Sequence, residues 1–306
     1  MRLRALSLRF IRCLVLGFIG LLPALSVTAS ALAQADAPAP LVPASAFYVG
    51  LGGGYNSVSF GTQSVYMAGT SDAYLNGHVI QSGAAGGPAS ISMNAQSTFA
   101  PAVQAGYFKH FDASDWLWGA KFAYAYLGTT STVSPALVPQ SGSYTYTHSG
   151  ITLPLSGNVV VSSYQAVLNH QFALLPFVGY SFDRSYVYFG AGPTVSQMQT
   201  KLNRVVGFAD IKGQPTDISG APVNFASSGW VVGGTFAVGA TYFLNSSWFL
   251  DASYSFAMTR ALNGSYFAPF TNASVSPVAT VSGTLSGTSS GNAITQGIMV
   301  SINKAF

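Results

Sequence analysis

Charge is scarce in these 306 residues. Asp, Glu, Lys and Arg together make up 7% of the chain, against about 25% in ordinary soluble domains. Glutamate is absent, and all eight acidic side chains are Asp. A cytoplasmic globular enzyme is disfavoured by that composition, and paired carboxylates could come only from Asp. The formal charge of +4 is not spread along the chain: four of the twelve basic residues are Arg2, Arg4, Arg9 and Arg12. Beyond them eight basic residues face eight acidic ones, so the excess belongs to the first twelve positions and does not argue for a nucleic-acid partner. Cysteine occurs once, as Cys13. No run beyond the N-terminal one is apolar and long enough for a spanning helix, and no window shows a 3.6-residue period.

What is present at the start is a basic stretch, an apolar run over residues 13–25, then small residues ending Ala31-Leu32-Ala33 before Gln34. That is the layout of a secretory signal peptide cleaved after Ala33, with Ala31 and Ala33 as the small residues of the cleavage site. Residues 1–33 are read as this leader and 34–46, rich in Pro and Ala, as a short periplasmic tail. Cys13 lies in the leader, so disulfides, cysteine metal sites and cysteine nucleophiles are excluded from the mature chain.

From residue 47 to the end the periodicity is two. In the last strand Ile294, Gln296, Ile298, Val300, Ile302, Lys304 and Phe306 share one face. Ala293, Thr295, Gly297, Met299, Ser301, Asn303 and Ala305 share the other. The same split recurs over 230–244 and 248–259, which is a strand signal. Strands are expected at 47–60, 98–111, 116–129, 164–182, 186–199, 229–243, 248–260 and 293–306. Three of the links between them are short, and four are long and rich in Ser, Gly, Thr, Ala and Asn. Segments 64–80 and 274–285 are where a further hairpin could hide, and strands could continue upward through 130–163.

Lipid cannot satisfy an open strand edge, so a sheet that crosses a membrane must close on itself. The expected fold is therefore all-β: a closed antiparallel transmembrane β-barrel over residues 47–306, of eight strands with short periplasmic turns and four long extracellular loops. Trp116, Trp118, Tyr180, Tyr242 and Trp248 have lipid-facing parity beside short turns, as an aromatic girdle requires. Lys109 and Lys304 share that parity near the same rim, where an amine can snorkel. Arg260 has it at the opposite end of its strand. Inward parity gives two charges in the strand bodies, Lys121 and Asp251, predicted to pair, with Gln104, Gln165, Asn169, Gln171, Thr235 and Thr241 as polar company. Gly50, Gly52 and Gly54 read as lumen glycines.

Catalytic signals are lacking. His78, His110, His148 and His170 have no metal-ligand spacing, and parity puts His170 and Asp251 on opposite faces of the wall. Asp112, Asp115 and Asp183 fall in turns, where Asp bonds to local backbone. No enzyme activity, cofactor or metal is expected.

The export leader, the alternating strands, the hairpin-like stretch 177–192 and the final segment 297–306 resemble the small outer-membrane β-barrel family, the OmpA/OmpX/Opa-like proteins of Gram-negative bacteria. The resemblance implies residence in the cell outer membrane among its lipids. It also implies recognition of the last strand by the barrel-assembly machinery through Gly297, Val300, Ile302 and Phe306. Lys304 departs from the family's usual apolar residue. Two functions are expected as alternatives: an anchor for surface-exposed loops with a structural or surface-interaction role, its extracellular ligand unknown, or a narrow channel for small or apolar solutes.

Overall fold

A computed structural model describes residues 41–211, 213–276 and 279–306. The expected leader with Ala31 and Ala33 lies outside the described residues. In chain order the strands are β1 (Ser45–Ser59), β2 (Thr62–Leu75), β3 (His78–Ser92), β4 (Gln96–His110), β5 (Trp116–Val133), β6 (Ala136–Tyr146) and β7 (Thr152–Ser181). They continue with β8 (Ser185–Ile211), β9 (Gln214–Asp217), β10 (Val223–Phe243), β11 (Trp248–Thr259), β12 (Leu262–Ser276), β13 (Ala279–Gly291) and β14 (Ile294–Ala305). All pairings are antiparallel.

Eight of these strands pair in a cycle: β1 with β4, then β5, β7, β8, β10, β11, β14 and back to β1. They coincide with the eight segments expected from alternation. The expectation of eight strands in all is nevertheless corrected, because the described residues contain fourteen. The six additional strands come from segments read as loops. Ring strands run on into them across breaks of two or three residues, β1 into β2, β5 into β6 and β11 into β12, while β3 leads into β4 and β13 into β14.

The added strands pair in the same order as the ring strands they continue, as β12-β13-β2-β3-β6-β7. The result is one extended wall rather than a ring with loose loops. Strand β7 is 30 residues long, about 100 Å at a rise of ~3.3 Å per residue, where ~10 residues suffice to cross a bilayer. Beyond residue 232 toward its N-terminal end, where its ladder with β11 has ended, β10 lies against β12 with no ladder between them among the described residues. Side chains close that seam, with the rings of Phe225 and Tyr266 5.4 Å apart.

Two clusters fill the interior. One, at the end with the short turns, is built from aromatic rings. The other lies further up, among Val58, Phe60, Val65, Met67, Leu127, Val138, Leu168, Leu202 and their neighbours.

Parity holds along most strands, and where it fails a bulge is the cause. The register shifts between Tyr126 and Thr129 on β5 and between Leu168 and Gln171 on β7. An extra residue moves every later side chain to the other face. Tyr164, Ala166 and Leu168 therefore take the buried positions, and Gln165 and Asn169, expected inward, are only half-buried.

Candidate functional site: the lumen and its two faces

Each ring strand contributes an inner residue near its short turn to the lower cluster: Tyr48, Phe108, Leu117, Phe177, Tyr186, Phe243, Phe249 and Ala305 are all buried. Phe243 and Phe249 stack at 4.7 Å, Tyr48 meets Phe249 edge-on at 5.3 Å, and Phe108 lies 5.3 Å from Tyr186. Eight strands enclose a space that side chains can fill, and here they do. Two of the rings fit because the residue paired with each on the neighbouring strand is glycine. A Cβ on Gly239 would sit 2.5 Å from the Tyr188 ring, and one on Gly119 would sit 2.4 Å from Phe177. Val42, ahead of β1, packs into this cluster from below.

Immediately above the rings lies a polar knot. Lys121 Nζ is 3.1 Å from Asp251 Oδ2, with the two side chains 2% and 3% exposed. Lys121 also donates to the Tyr188 hydroxyl, and that hydroxyl donates to Asp251 Oδ1 at 2.9 Å. Gln104 Nε2 approaches Asp251 Oδ2 at 2.9 Å, Ser301 Oγ at 2.8 Å and Asn303 Oδ1 at 2.7 Å. Both carboxylate oxygens of Asp251 are thus bound, and the ammonium of Lys121 has an anion and a hydroxyl. A charge taken from water costs several kcal/mol unless neutralised and hydrogen-bonded, and this arrangement supplies both. Asn303 reaches inward only because Gly50 faces it, where a Cβ would lie 1.8 Å from its Oδ1.

Of this knot, sequence parity picks out Lys121, Asp251 and Gln104. Tyr188 reads from the sequence as a space-filling aromatic, and Ser301 and Asn303 only as members of the polar face of the last strand. Their inward parity was the available signal. Above the knot is a cavity of about 70 Å³ lined by Ala123, Ala125, Gln171, Thr235, Ser253 and others. Over it sits the upper apolar cluster. Among the described residues no group of three or more His, Cys, Asp or Glu side chains is placed to hold a metal ion. His170 bonds through Nδ1 to the Tyr124 hydroxyl at 2.9 Å, on the side of the wall away from Asp251.

The outer face divides into two zones. From the short turns upward it is apolar: Val49, Leu51, Val103, Phe122, Val178, Val238, Leu250, Ile298, Val300 and Ile302 are all exposed. Trp116, Trp118, Tyr242 and Trp248 are exposed at the turn end of this zone, with Tyr180 half-buried against Trp116 at 5.5 Å. Lys304 lies over the rings of Trp248 and Phe306 at 5.6 and 5.5 Å. At the other end a second set of exposed rings appears, Tyr55, Phe99, Tyr126 and Trp230. The sequence gives each only as one aromatic among many, and their common level emerges once Tyr55 is seen to pair with Phe99.

Above the second set the outer face of β13 changes character, while Tyr66 on β2, Leu137 on β6 and Phe267 on β12 remain exposed. Along β13 the outward positions are Thr280, Ser282, Thr284, Ser286, Thr288 and Ser290, where β14 on the same line presents Ile298, Val300 and Ile302. Thr284 and Thr70 join across adjacent strands at 2.8 Å. On β14, Val300 and Ile302 face outward, as does Phe306 just after it, whereas Gly297 lies against Asn56 and Tyr55, within 2.2 Å of Asn56 Oδ1 if a Cβ were added.

No family model matches the chain, and no curated protein matches it. Among solved structures the chain is similar to small barrel proteins of bacterial surfaces. The outer membrane protein OprG from Pseudomonas aeruginosa matches 87% of this chain and 99% of its own, at 10% identity and a TM-score of 0.32. Ail, the attachment invasion locus protein of Yersinia pestis, matches 76% and 99% at 12% identity and a TM-score of 0.26. Neisserial surface protein A matches 76% and 97% at 12% identity and a TM-score of 0.21.

Proposed function

We propose that the chain is an outer-membrane protein whose eight-strand ring crosses the bilayer and anchors a sheet-built extension outside the cell, in a structural or surface-interaction role. The observation that carries this reading is the change of the outer face along single continuous lines of strand. An apolar belt bordered at both ends by aromatic rings fits hydrocarbon flanked by two interfaces, and the Ser/Thr face of β13 fits water. The short turns then lie in the periplasm, and the C-terminal Val300, Ile302 and Phe306 are offered to the barrel-assembly machinery.

The filled lumen supports an anchor rather than a conduit. A solute would have to pass the interlocked rings around Phe108 and Phe249, the Lys121–Asp251 knot and the upper apolar cluster in turn. Single-channel recording in planar bilayers tests this. The purified chain is expected to insert without a steady conductance level. A reproducible open level would replace the anchor with the narrow-channel alternative.

A further inference from the structure

Charged side chains beyond the apolar belt are sorted by height. Among the described residues the basic ones there are Lys201, Arg204 and Arg260, and the acidic ones are Asp72, Asp210 and Asp217. The acidic residues stand toward the strand tips. Asp210 and Asp217 flank the β8–β9 turn, and Asp72 comes shortly before the Asn76-Gly77 turn that follows β2. The basic residues lie lower, on one side of the wall. Arg260 N–H donates to the Val232 carbonyl at 2.8 Å, which places Arg260 close to the level of Trp230. Lys201 pairs with Ala226, four residues up β10 from Trp230 and so about 13 Å along it. No ion pair engages any of the three among the described residues.

A bulge puts two of them on the same face. Thr200 and Leu202 are buried on either side of Lys201, so Lys201 points outward. Arg204 would point inward in a regular strand, but the register shifts by one residue between the pairs Leu202–Phe225 and Val205–Val223. Arg204 sits in that bulge at φ 51° and is exposed. Non-glycine residues rarely adopt this conformation, and a bulge re-aims a side chain. Arg204 N–H donates to Asn224 Oδ1 at 2.8 Å, and the Ser162 hydroxyl donates to the Arg204 carbonyl at 3.3 Å. Across the seam the inner rings of Phe225 and Tyr266 meet, so Asn224 and Phe267, next to them in sequence, stand side by side on the outer face. Phe267 is 68% exposed, with Ser286 beside it on β13 and Ala68 beyond on β2.

We infer that Lys201, Arg204 and Arg260, with Asn224 and Phe267, form a docking face for the phosphorylated sugar headgroup of an outer-leaflet glycolipid. Unpaired cations at the membrane surface attract anionic headgroups, and the acidic side chains are kept to a higher level. Arg260 is placed for a phosphate next to the acyl chains, and Lys201 and Arg204 for phosphates on the sugars above. The face of the Phe267 ring, negative in its quadrupole, suits the C–H face of a pyranose. A single ring among small and hydroxylated residues lacks the contiguous apolar core of a protein interface. The inference rests on the membrane placement proposed above: a lateral face just over the belt is surrounded by lipids of its own membrane, whereas a ligand from another cell meets the strand tips first.

Native mass spectrometry of the full chain, released from phosphatidylcholine nanodiscs that contain phosphorylated rough lipopolysaccharide, tests this by counting retained glycolipid. The chain is expected to retain it in preference to the same glycolipid after dephosphorylation, and less so as salt rises. Lys201→Gln combined with Arg204→Gln should lower retention about tenfold, and Phe267→Ala by a smaller factor. Lys109→Gln combined with Arg184→Gln, at the short-turn end, should leave it unchanged. The delipidated phosphorylated oligosaccharide should compete only weakly. Equal retention of the dephosphorylated glycolipid, or full retention by the Lys201/Arg204 variant, would overturn the inference. So would displacement by equimolar oligosaccharide, which would assign the face to a soluble saccharide, or a second copy of the chain retained in place of the glycolipid. A chain that inserts into nanodiscs and retains no glycolipid sinks this inference alone, whereas one that does not insert sinks the membrane placement with it.

Discussion

Asp251→Ala is expected to destabilise the folded chain by about 3–5 kcal/mol, the usual cost of leaving a buried charge without its counter-ion. The substitution strips Lys121 of its only ion-pair partner among the described residues. It also removes the acceptor of the Tyr188 hydroxyl and one acceptor of Gln104. The loss should appear in urea titrations followed by the heat-dependent gel shift of a closed barrel. Lys121→Met combined with Asp251→Leu should recover most of it, since two apolar side chains of similar volume need no counter-charge. If the double variant were no more stable than Asp251→Ala, the knot would owe its stability to hydrogen bonding around Asn303 and Ser301 rather than to the charge pair.

Val300→Arg carries the second large effect. Val300 stands midway along the outer face of β14, with Ile298 on one side and Ile302 on the other, and is 53% exposed. A guanidinium on the lipid face near the bilayer midplane costs about 2–4 kcal/mol in a transmembrane barrel. Thr284→Arg, on the same line of strand but above the second set of rings, should cost less than about 0.5 kcal/mol, as surface substitutions usually do. Refolding into phospholipid vesicles under denaturant would measure both. Equal costs at the two positions would remove the bilayer from around Val300 and overturn the membrane placement.

The parts of the fold legible in the sequence are those where the two faces of a strand differ in polarity. On β14 the contrast between Ile298, Val300, Ile302 and Thr295, Ser301, Asn303 marks both the strand and its orientation, and the same contrast places Lys121 and Asp251 on the inner face. On β13 the outer face is Ser and Thr, and the inner one includes Gly283 and Gly287 beside Val281 and Leu285. Alternation read from hydrophobicity is nearly flat there, because the face that meets water is as small as the face that meets the lumen. That is why β13 reads as part of a loop. The bulges at Tyr126 and Leu168 misled parity for Gln165 and Asn169. A bulge depends on which neighbour a strand meets, and alternation within one strand does not record it.

The ring closes between β1 and β14, the first and last strands among the described residues, with Tyr48 opposite Ala305 and Gly50 opposite Asn303. That one pairing has consequences in time. Among the described residues it carries the greatest sequence separation of any ladder, so it bears the largest loop-closure entropy of them and favours slow folding. Until residue 305 is in place, β1 and its apolar outer residues Val49 and Leu51 have an open edge, the kind of surface through which strands aggregate. Until β14 is available, that edge of β1 is a surface through which two copies of the chain could pair.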